Sequence, residues 1–195
     1  NNQNKYTMSE VKNMSEIADI FISNSDHLTD IYRRAFDYKG NIWKCGYPKN
    51  DILFKPSDEI RKKVHDYFNL SKDTKILVYA PTFRDDFYTK GINIDVYDIS
   101  FQKLFKTITD KFGGKWIIMV KYHPVLVNEP ELYNNKYDYV VNATKYQEMQ
   151  EIIIAADAFI SDYSSCIFDA ALRNIPCFTF AVDFEEYKGD RGVYY

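Results

Sequence analysis

Cysteine is scarce in this sequence: Cys45, Cys166 and Cys177 lie far apart, and none belongs to a Cys-x-x-Cys pair. That spacing provides neither a zinc site nor a disulfide framework and fits a reducing compartment. Long apolar runs are missing as well. Ile152 to Ile160 is broken by Asp157 and falls well short of the roughly 18 residues that suggest a membrane span. There is no surplus of positive charge, with 25 Lys and Arg against 28 Asp and Glu and a formal net charge of −3. No overall basic field draws in nucleic acid or anionic lipid. The 17 Tyr and 14 Phe have no interleaved Arg and Lys stripe, so they read as core and amphipathic edges rather than base-stacking platforms. Gly-x-x-x-x-Gly-Lys, Gly-x-Gly-x-x-Gly and His-Glu-x-x-His are all absent, which removes the familiar phosphate-loop, dinucleotide and zinc-protease signatures. There is no internal repeat, low-complexity tract or heptad array. The opening Asn-Asn-Gln-Asn-Lys is neither a signal peptide nor a natural start, so a fragment of a longer protein is expected.

What remains is a chain of 195 residues, 46% hydrophobic, enough for one full domain and part of another. The first 16 residues are polar. Ile20 to Ile22 reads as a short strand, and a helix capped by Ser25 or Asp26 follows, with Leu28, Ile31, Tyr32 and Ala35 on one face and Gly40 at its end. Ile42 to Cys45 forms another strand, and Gly46 to Asp51 breaks the pattern like a hinge. Pro56-Ser57-Asp58-Glu59 starts a helix that turns Ile60, Val64, Tyr67 and Phe68 inward. Lys75 to Ala80 is a continuous apolar strand, the kind buried on both faces of a parallel sheet. The polar loop after it, running to about Tyr97, is long enough to suggest a function. Phe101 to Phe112 traces a helix closed by Gly113-Gly114. Trp116 to Val120 and Tyr137 to Val141 are strands, and Met149, Ile152, Ile153 and Ala156 mark a helix face. Phe159 to Phe180 then reads as strand, Ser-rich turn, helix and strand. Strands alternating with helices from residue 75 onward predict a doubly wound α/β sheet.

Ligand crevices of such sheets lie beyond the carboxyl ends of the strands. Three strands here end in polar segments: Thr82 to Arg84, Lys121 to His123, and Ser161 to Ser165. Each has an ordinary structural explanation, as a solvated loop, a hydrogen-bonding histidine or a plain N-cap. Together they place cations, hydroxyls and a helix start at successive strand ends, which suits an anionic ligand and phosphate above all. Asp183-Phe-Glu185 reads equally as a loop pair or a metal pair. Mg²⁺ is the only candidate cofactor, and no ligand set is readable for it.

The segments Ile160-Ser-Asp-Tyr-Ser-Ser-Cys-Ile-Phe-Asp169, Tyr79-Ala-Pro-Thr-Phe-Arg-Asp85, Lys121-Tyr-His-Pro124, Gly46-Tyr-Pro-Lys-Asn-Asp51 and Glu186-Tyr-Lys-Gly-Asp-Arg-Gly192 resemble motifs of the CDP-glycerol glycerophosphotransferase family, the teichoic-acid primases and polymerases. The resemblance implies a GT-B architecture of two Rossmann-like domains. Residues 1–50 would be the end of the acceptor-side domain plus a hinge, and residues 51–195 the CDP-donor-binding domain. It implies transfer of glycerol phosphate from CDP-glycerol to a hydroxyl of a growing teichoic-acid or capsule polymer, with release of CMP. CDP-ribitol, a nucleotide sugar and a non-catalytic nucleotide-binding module are the alternatives. Ser164 and Ser165 would hold the diphosphate, with Thr82 beside them, while His123 and Arg84 neutralise the leaving CMP. Lys121 and Arg191 are further candidates, read otherwise as solvated surface. Asp169 would accept from ribose hydroxyls or simply favour the helix dipole. The family's Trp-His-Gly-Thr histidine, the acceptor base, is absent here, and His27 and His65 read as ordinary surface positions. A cytoplasmic enzyme is expected, peripheral at the inner membrane face only through parts outside this sequence, with no nucleic-acid partner.

Overall fold

In the apolar runs from residue 75 onward, successive side chains are buried on opposite sides, so each run is packed on both faces. The computed structural model describes residues 13, 15–55, 57–84, 97, 99–129 and 136–191, except the side chains of 190 and 191. The backbone separates into two units, residues 1–51 and 52–195.

In the first unit, β1 (Ile20–Ser23) and β2 (Asn41–Lys44) pair in parallel around α1 (Asp26–Ala35). Ser25 caps α1, its hydroxyl accepting from the Leu28 N–H at 3.2 Å. The helix stops at Ala35 rather than Gly40. Gly40 has a different task, because a Cβ there would sit 2.4 Å from the Tyr38 hydroxyl. Tyr38 in turn stacks on Phe21 at 4.2 Å. The segment expected to be a hinge forms a 3₁₀ turn, Pro48–Asn50, and then a helical turn, Asp51–Phe54.

The second unit is a five-stranded, fully parallel sheet. Its strands are β3 (Lys75–Ala80), β4 (Trp116–Val120), β5 (Val140–Asn142), β6 (Ala158–Ser161) and β7 (Cys177–Thr179), in the order β5-β4-β3-β6-β7. One face carries Ile76, Val78, Ile117, Met119 and Phe159 against α2 (Asp58–Tyr67), α4 (Met149–Ala155) and α5 (Cys166–Ala171). Leu77, Tyr79, Ile118, Val120 and Ile160 face the other way, against α3 (Phe101–Phe112). This is the doubly wound, Rossmann-like sheet of the GT-B type, with helices on both faces. A last helix, α6 (Phe184–Arg191), follows β7.

Several local expectations shift. Tyr67, expected on a buried helix face, lies in the last turn of α2 and is 59% exposed. The strand expected at 137–141 is Val140–Asn142. The helix after the Ser-rich turn has only six residues, and the chain turns at Asn174 with φ +53°. His65 is buried rather than on the surface, at 3% exposure, with Nδ1 3.0 Å from the Ser71 carbonyl. His27 is exposed. Pro56 and the whole loop between Arg84 and Tyr97 lie outside the described residues.

The start of α2 is set by Ser57, whose hydroxyl accepts from the N–H groups of Glu59 and Ile60 at 3.1 and 3.3 Å. Ser57→Ala is expected to cost about 1 kcal/mol. Urea unfolding should show this as a lower midpoint with an unchanged slope.

Candidate functional site

Strand β3 is the switch point of the sheet. The chain builds outward from it through β4 to β5, returns through α4 to its other side at β6, and continues to β7. The carboxyl ends of β3, β4 and β6 therefore lie side by side, the place where open α/β sheets bind ligands. A cleft of about 480 Å³ opens there, lined in part by Thr82, Phe83, His123, Gln147, Met149 and Ser164.

The expected site residues divide in two. His123, Ser164, Thr82 and Lys121 all line the cleft, but the polar groups of Thr82 and Lys121 are bonded to the protein itself. His123 is exposed, its ring tilted 5.4 Å from Phe83, and its Nδ1 accepts from the Val125 N–H at 3.3 Å. In the neutral ring that bond leaves the proton on Nε2, as a donor. The Ser164 hydroxyl accepts from the Cys166 N–H at 3.5 Å. Ser165 is exposed at the N-cap of α5 and makes no side-chain capping bond. With only six residues in α5, hydroxyls and local N–H groups have to supply the polarity expected of a helix dipole.

Arg84, Thr82, Lys121 and Asp169 make hydrogen bonds within the protein. The Arg84 guanidinium does not face the cleft as a spare cation. Its Nε and one terminal nitrogen donate to Asp183 at 2.8 and 3.1 Å, and that same nitrogen donates to Asp162 at 2.9 Å. The other terminal nitrogen donates to the Thr82 carbonyl at 2.6 Å. All three side chains of this double ion pair are nearly buried. The Thr82 N–H and hydroxyl both donate to Asp162, at 2.8 and 2.6 Å.

Lys121 is buried instead of solvated, and its ammonium donates to the carbonyls of Tyr146 and Thr144 at 2.8 and 3.4 Å. Burial without a carboxylate partner among the described residues lowers its pKa. Asp169 is 8% exposed and accepts from Gln150 on α4 at 3.5 Å, so it is built into the packing between two helices. The side chain of Arg191 lies outside the described residues.

The cluster around Arg84 was not apparent from sequence. Tyr163 donates to Asp183 at 2.9 Å and stacks on Tyr187 of α6 at 3.8 Å, and Arg84 lies over both rings at 5.1 and 5.3 Å. Burial raises the Asp183 pKa, but the bonds from Arg84 and Tyr163 outweigh it and hold the carboxyl below the usual range. Burial likewise opposes charge on Arg84, and the two carboxylates reverse that and raise its pKa. One signal for Asp162 was available: a carboxylate ending a fully buried strand must be paired. Asp162 and Asp183 are already bridged by Arg84. Among the described residues no group of three or more His, Cys, Asp or Glu is placed to hold a metal ion. No helix among them is long and apolar enough to cross a membrane.

Comparison with known proteins matches this geometry to one family. The chain is 33% identical over 181 residues to a teichoic acid poly(glycerol phosphate) polymerase of Staphylococcus epidermidis, covering 90% of this chain and 24% of that protein. It is 30% identical over 197 residues to the corresponding polymerase of Bacillus subtilis, covering all of this chain and 26% of that protein. A solved structure of the wall teichoic acid polymerase TagF superposes with a TM-score of 0.77 at 30% identity, over 98% of this chain and 46% of that one. A TagF variant soaked with CDPG superposes with a TM-score of 0.73 at 29% identity, over 98% of this chain and 45% of that one. The chain thus spans about a quarter of these two polymerases. The family model described as CDP-Glycerol:Poly(glycerophosphate) glycerophosphotransferase matches residues 1–195, and the chain belongs to that family.

Proposed function

We propose that residues 52–195 hold the nucleotide donor of a glycerophosphotransferase that moves glycerol phosphate from CDP-glycerol to a hydroxyl of a teichoic-acid or capsule polymer. The acceptor oxygen would attack the glycerol-phosphate phosphorus. The bond from that phosphorus to CMP breaks, CMP carries away the electron pair, and the acceptor proton passes to a base. The supporting observation is the cleft at the ends of β3, β4 and β6, which His123 and Ser164 both line. His123 Nε2–H and the Ser164 hydroxyl are suited to donate to diphosphate oxygens, and such charge-assisted bonds strengthen as CMP takes up charge. Ser165, exposed beside them, is a weaker candidate for the same task. On this reading Arg84, bonded to Asp162, Asp183 and the Thr82 carbonyl, holds the cleft wall in place instead of meeting the leaving group, and Thr82 lines the cleft with its hydroxyl bonded to Asp162.

This sequence has no Trp-His-Gly-Thr segment, so its own contribution is donor binding. Polymerisation by this chain alone at a normal rate would contradict that assignment. The acceptor polymer, and any attachment to the inner face of the membrane, would be met by other parts of the enzyme, acting in the cytoplasm. Relatives include a ribitol-phosphate polymerase of Bacillus spizizenii at 25% identity over 177 residues, covering 89% of this chain and 28% of that protein. CDP-ribitol is therefore the second donor to test.

A thermal-shift series with CDP-glycerol, CDP-ribitol, CDP and UDP-glucose tests the reading. A ligand at about 100 times its Kd adds about 2.7 kcal/mol, or roughly 5–11 °C for a chain of this size. The cytidine ligands should produce that rise, and no rise with any of them would overturn the proposal. His123→Ala should weaken CDP-glycerol roughly tenfold to a hundredfold, the loss of one charge-assisted bond.

A further inference from the structure

The turn between β5 and α4 is tied down from several directions. The Ala143 N–H donates to the Val120 carbonyl at 2.7 Å, and the Thr144 N–H donates to Asn142 Oδ1 at 2.8 Å. The Thr144 hydroxyl accepts from the Tyr122 N–H at 3.1 Å. Beneath it, Lys121 bonds the carbonyls of Thr144 and Tyr146. Tyr146 is buried, packs edge-on against Tyr67 at 4.9 Å, and donates its hydroxyl to Glu151, which Lys63 pairs at 2.7 Å. The residue after Tyr146 is different: Gln147 is exposed and lines the cleft beside Phe83 and Met149. A rigid turn thus presents one amide, with an acceptor oxygen and two donor hydrogens, next to apolar walls that suit a flat ring.

We propose that Gln147 is a specificity-determining contact for the donor's nucleoside, and that Lys121 is the positioning residue that holds its turn against the cleft. This rests on the donor-site reading above and adds to it. A cation buried in the floor of a phosphate site would ordinarily be assigned to the phosphates. Here the bonds of Lys121 run to carbonyls of the turn, so its influence on the ligand passes through Gln147. An amide contact to a base edge or ribose distinguishes nucleosides because a ligand with mismatched donors and acceptors leaves buried polar groups unpaired.

The test measures binding of CDP, UDP and inorganic pyrophosphate by calorimetry to the unsubstituted chain, Gln147→Ala, Lys121→Met and the double variant. Gln147→Ala and Lys121→Met should each weaken CDP about tenfold, change the ratio of CDP to UDP affinity, and leave pyrophosphate binding as it was. The double variant should bind CDP about as well as the weaker single variant, because both substitutions remove the same contact. Circular dichroism and melting temperature check that each variant is folded, and Gln147→Ala, on an exposed position, should melt with the unsubstituted chain. The inference is overturned if Gln147→Ala binds CDP and UDP unchanged. It is equally overturned if Lys121→Met loses pyrophosphate and CDP in parallel with fully additive effects, which would place Lys121 on the phosphates. Failure of the unsubstituted chain to bind CDP would overturn the donor-site reading and this inference with it.

Discussion

Arg84→Met should destabilise the fold by about 3–5 kcal/mol, the cost of leaving a buried charge without its partner, and lower the melting temperature by roughly 6–20 °C. Removing this one guanidinium strands two carboxylates at once, Asp162 and Asp183, in side chains only 2% and 10% exposed. It also frees the junction between the ends of β3 and β6 and the start of α6, since Arg84 lies over both Tyr163 and Tyr187. A cation that only met a leaving group would behave differently, because its loss would slow transfer and leave the melting temperature alone. The pH dependence gives a second reading. In the native chain the depressed Asp183 pKa contributes stability that is complete above the unfolded carboxyl value near 3.9 and is lost as pH falls through the lower folded value. Without Arg84, burial of Asp183 is opposed only by the Tyr163 hydroxyl and a backbone bond and its pKa rises, so the deficit of the variant should be largest at neutral pH and shrink toward about pH 4. Adding Asp183→Asn to Arg84→Met should recover part of the loss, since it removes one unpaired carboxylate. Urea denaturation at pH 7 and pH 4.5 measures all of this, and a deficit below about 1 kcal/mol at pH 7 would contradict the ion-pair assignment.

The same cluster shows where sequence reading stops. Strands β3 and β4 were legible because a run such as Ile76 to Ala80 has no polar residue to face water, and such runs belong to parallel sheets. The Ser-rich turn after β6 and the Lys121-Tyr-His-Pro segment after β4 were legible as strand ends, and the doubly wound order then brings strand ends together. Which of those polar residues are bonded within the protein was not legible. Arg84 meets partners 78 and 99 residues away, and no local pattern signals such pairings. Lys121 looks like a solvated lysine until the turn that follows β5 folds over it. His65 carries the same lesson: flanked by Val64 and Asp66 it suits a surface helix, yet the Ser71 carbonyl meets its ring and buries it. Gln147 sits in a short, polar, unremarkable stretch, and only the tertiary path of the turn gives it a place at the cleft.

Phe159→Ala should be comparably damaging, through packing instead of charge. Phe159 is fully buried on β6, between β3 and β7, within the core that includes Ile152, Ile153, Ala155 and Ala170. Deleting the ring removes its transfer energy and leaves a cavity, for a loss of about 3–5 kcal/mol. The position cannot collapse easily, because neighbouring strands hold β6 by backbone bonds on both sides. Two residues further on, Ser161 donates to the Ala80 carbonyl at 2.7 Å, and Asp162 then receives Thr82. Any displacement of β6 therefore reaches the cleft wall directly, and donor affinity should fall together with stability. Phe168→Ala is the matched control: the same side chain, nine residues along, but 63% exposed on α5, where truncation should stay within about 0.5 kcal/mol. Urea midpoints for the two variants should therefore separate widely. Equal midpoints would mean that the core on this face of the sheet does not bear on β6, and the link from packing to donor binding would have to be abandoned.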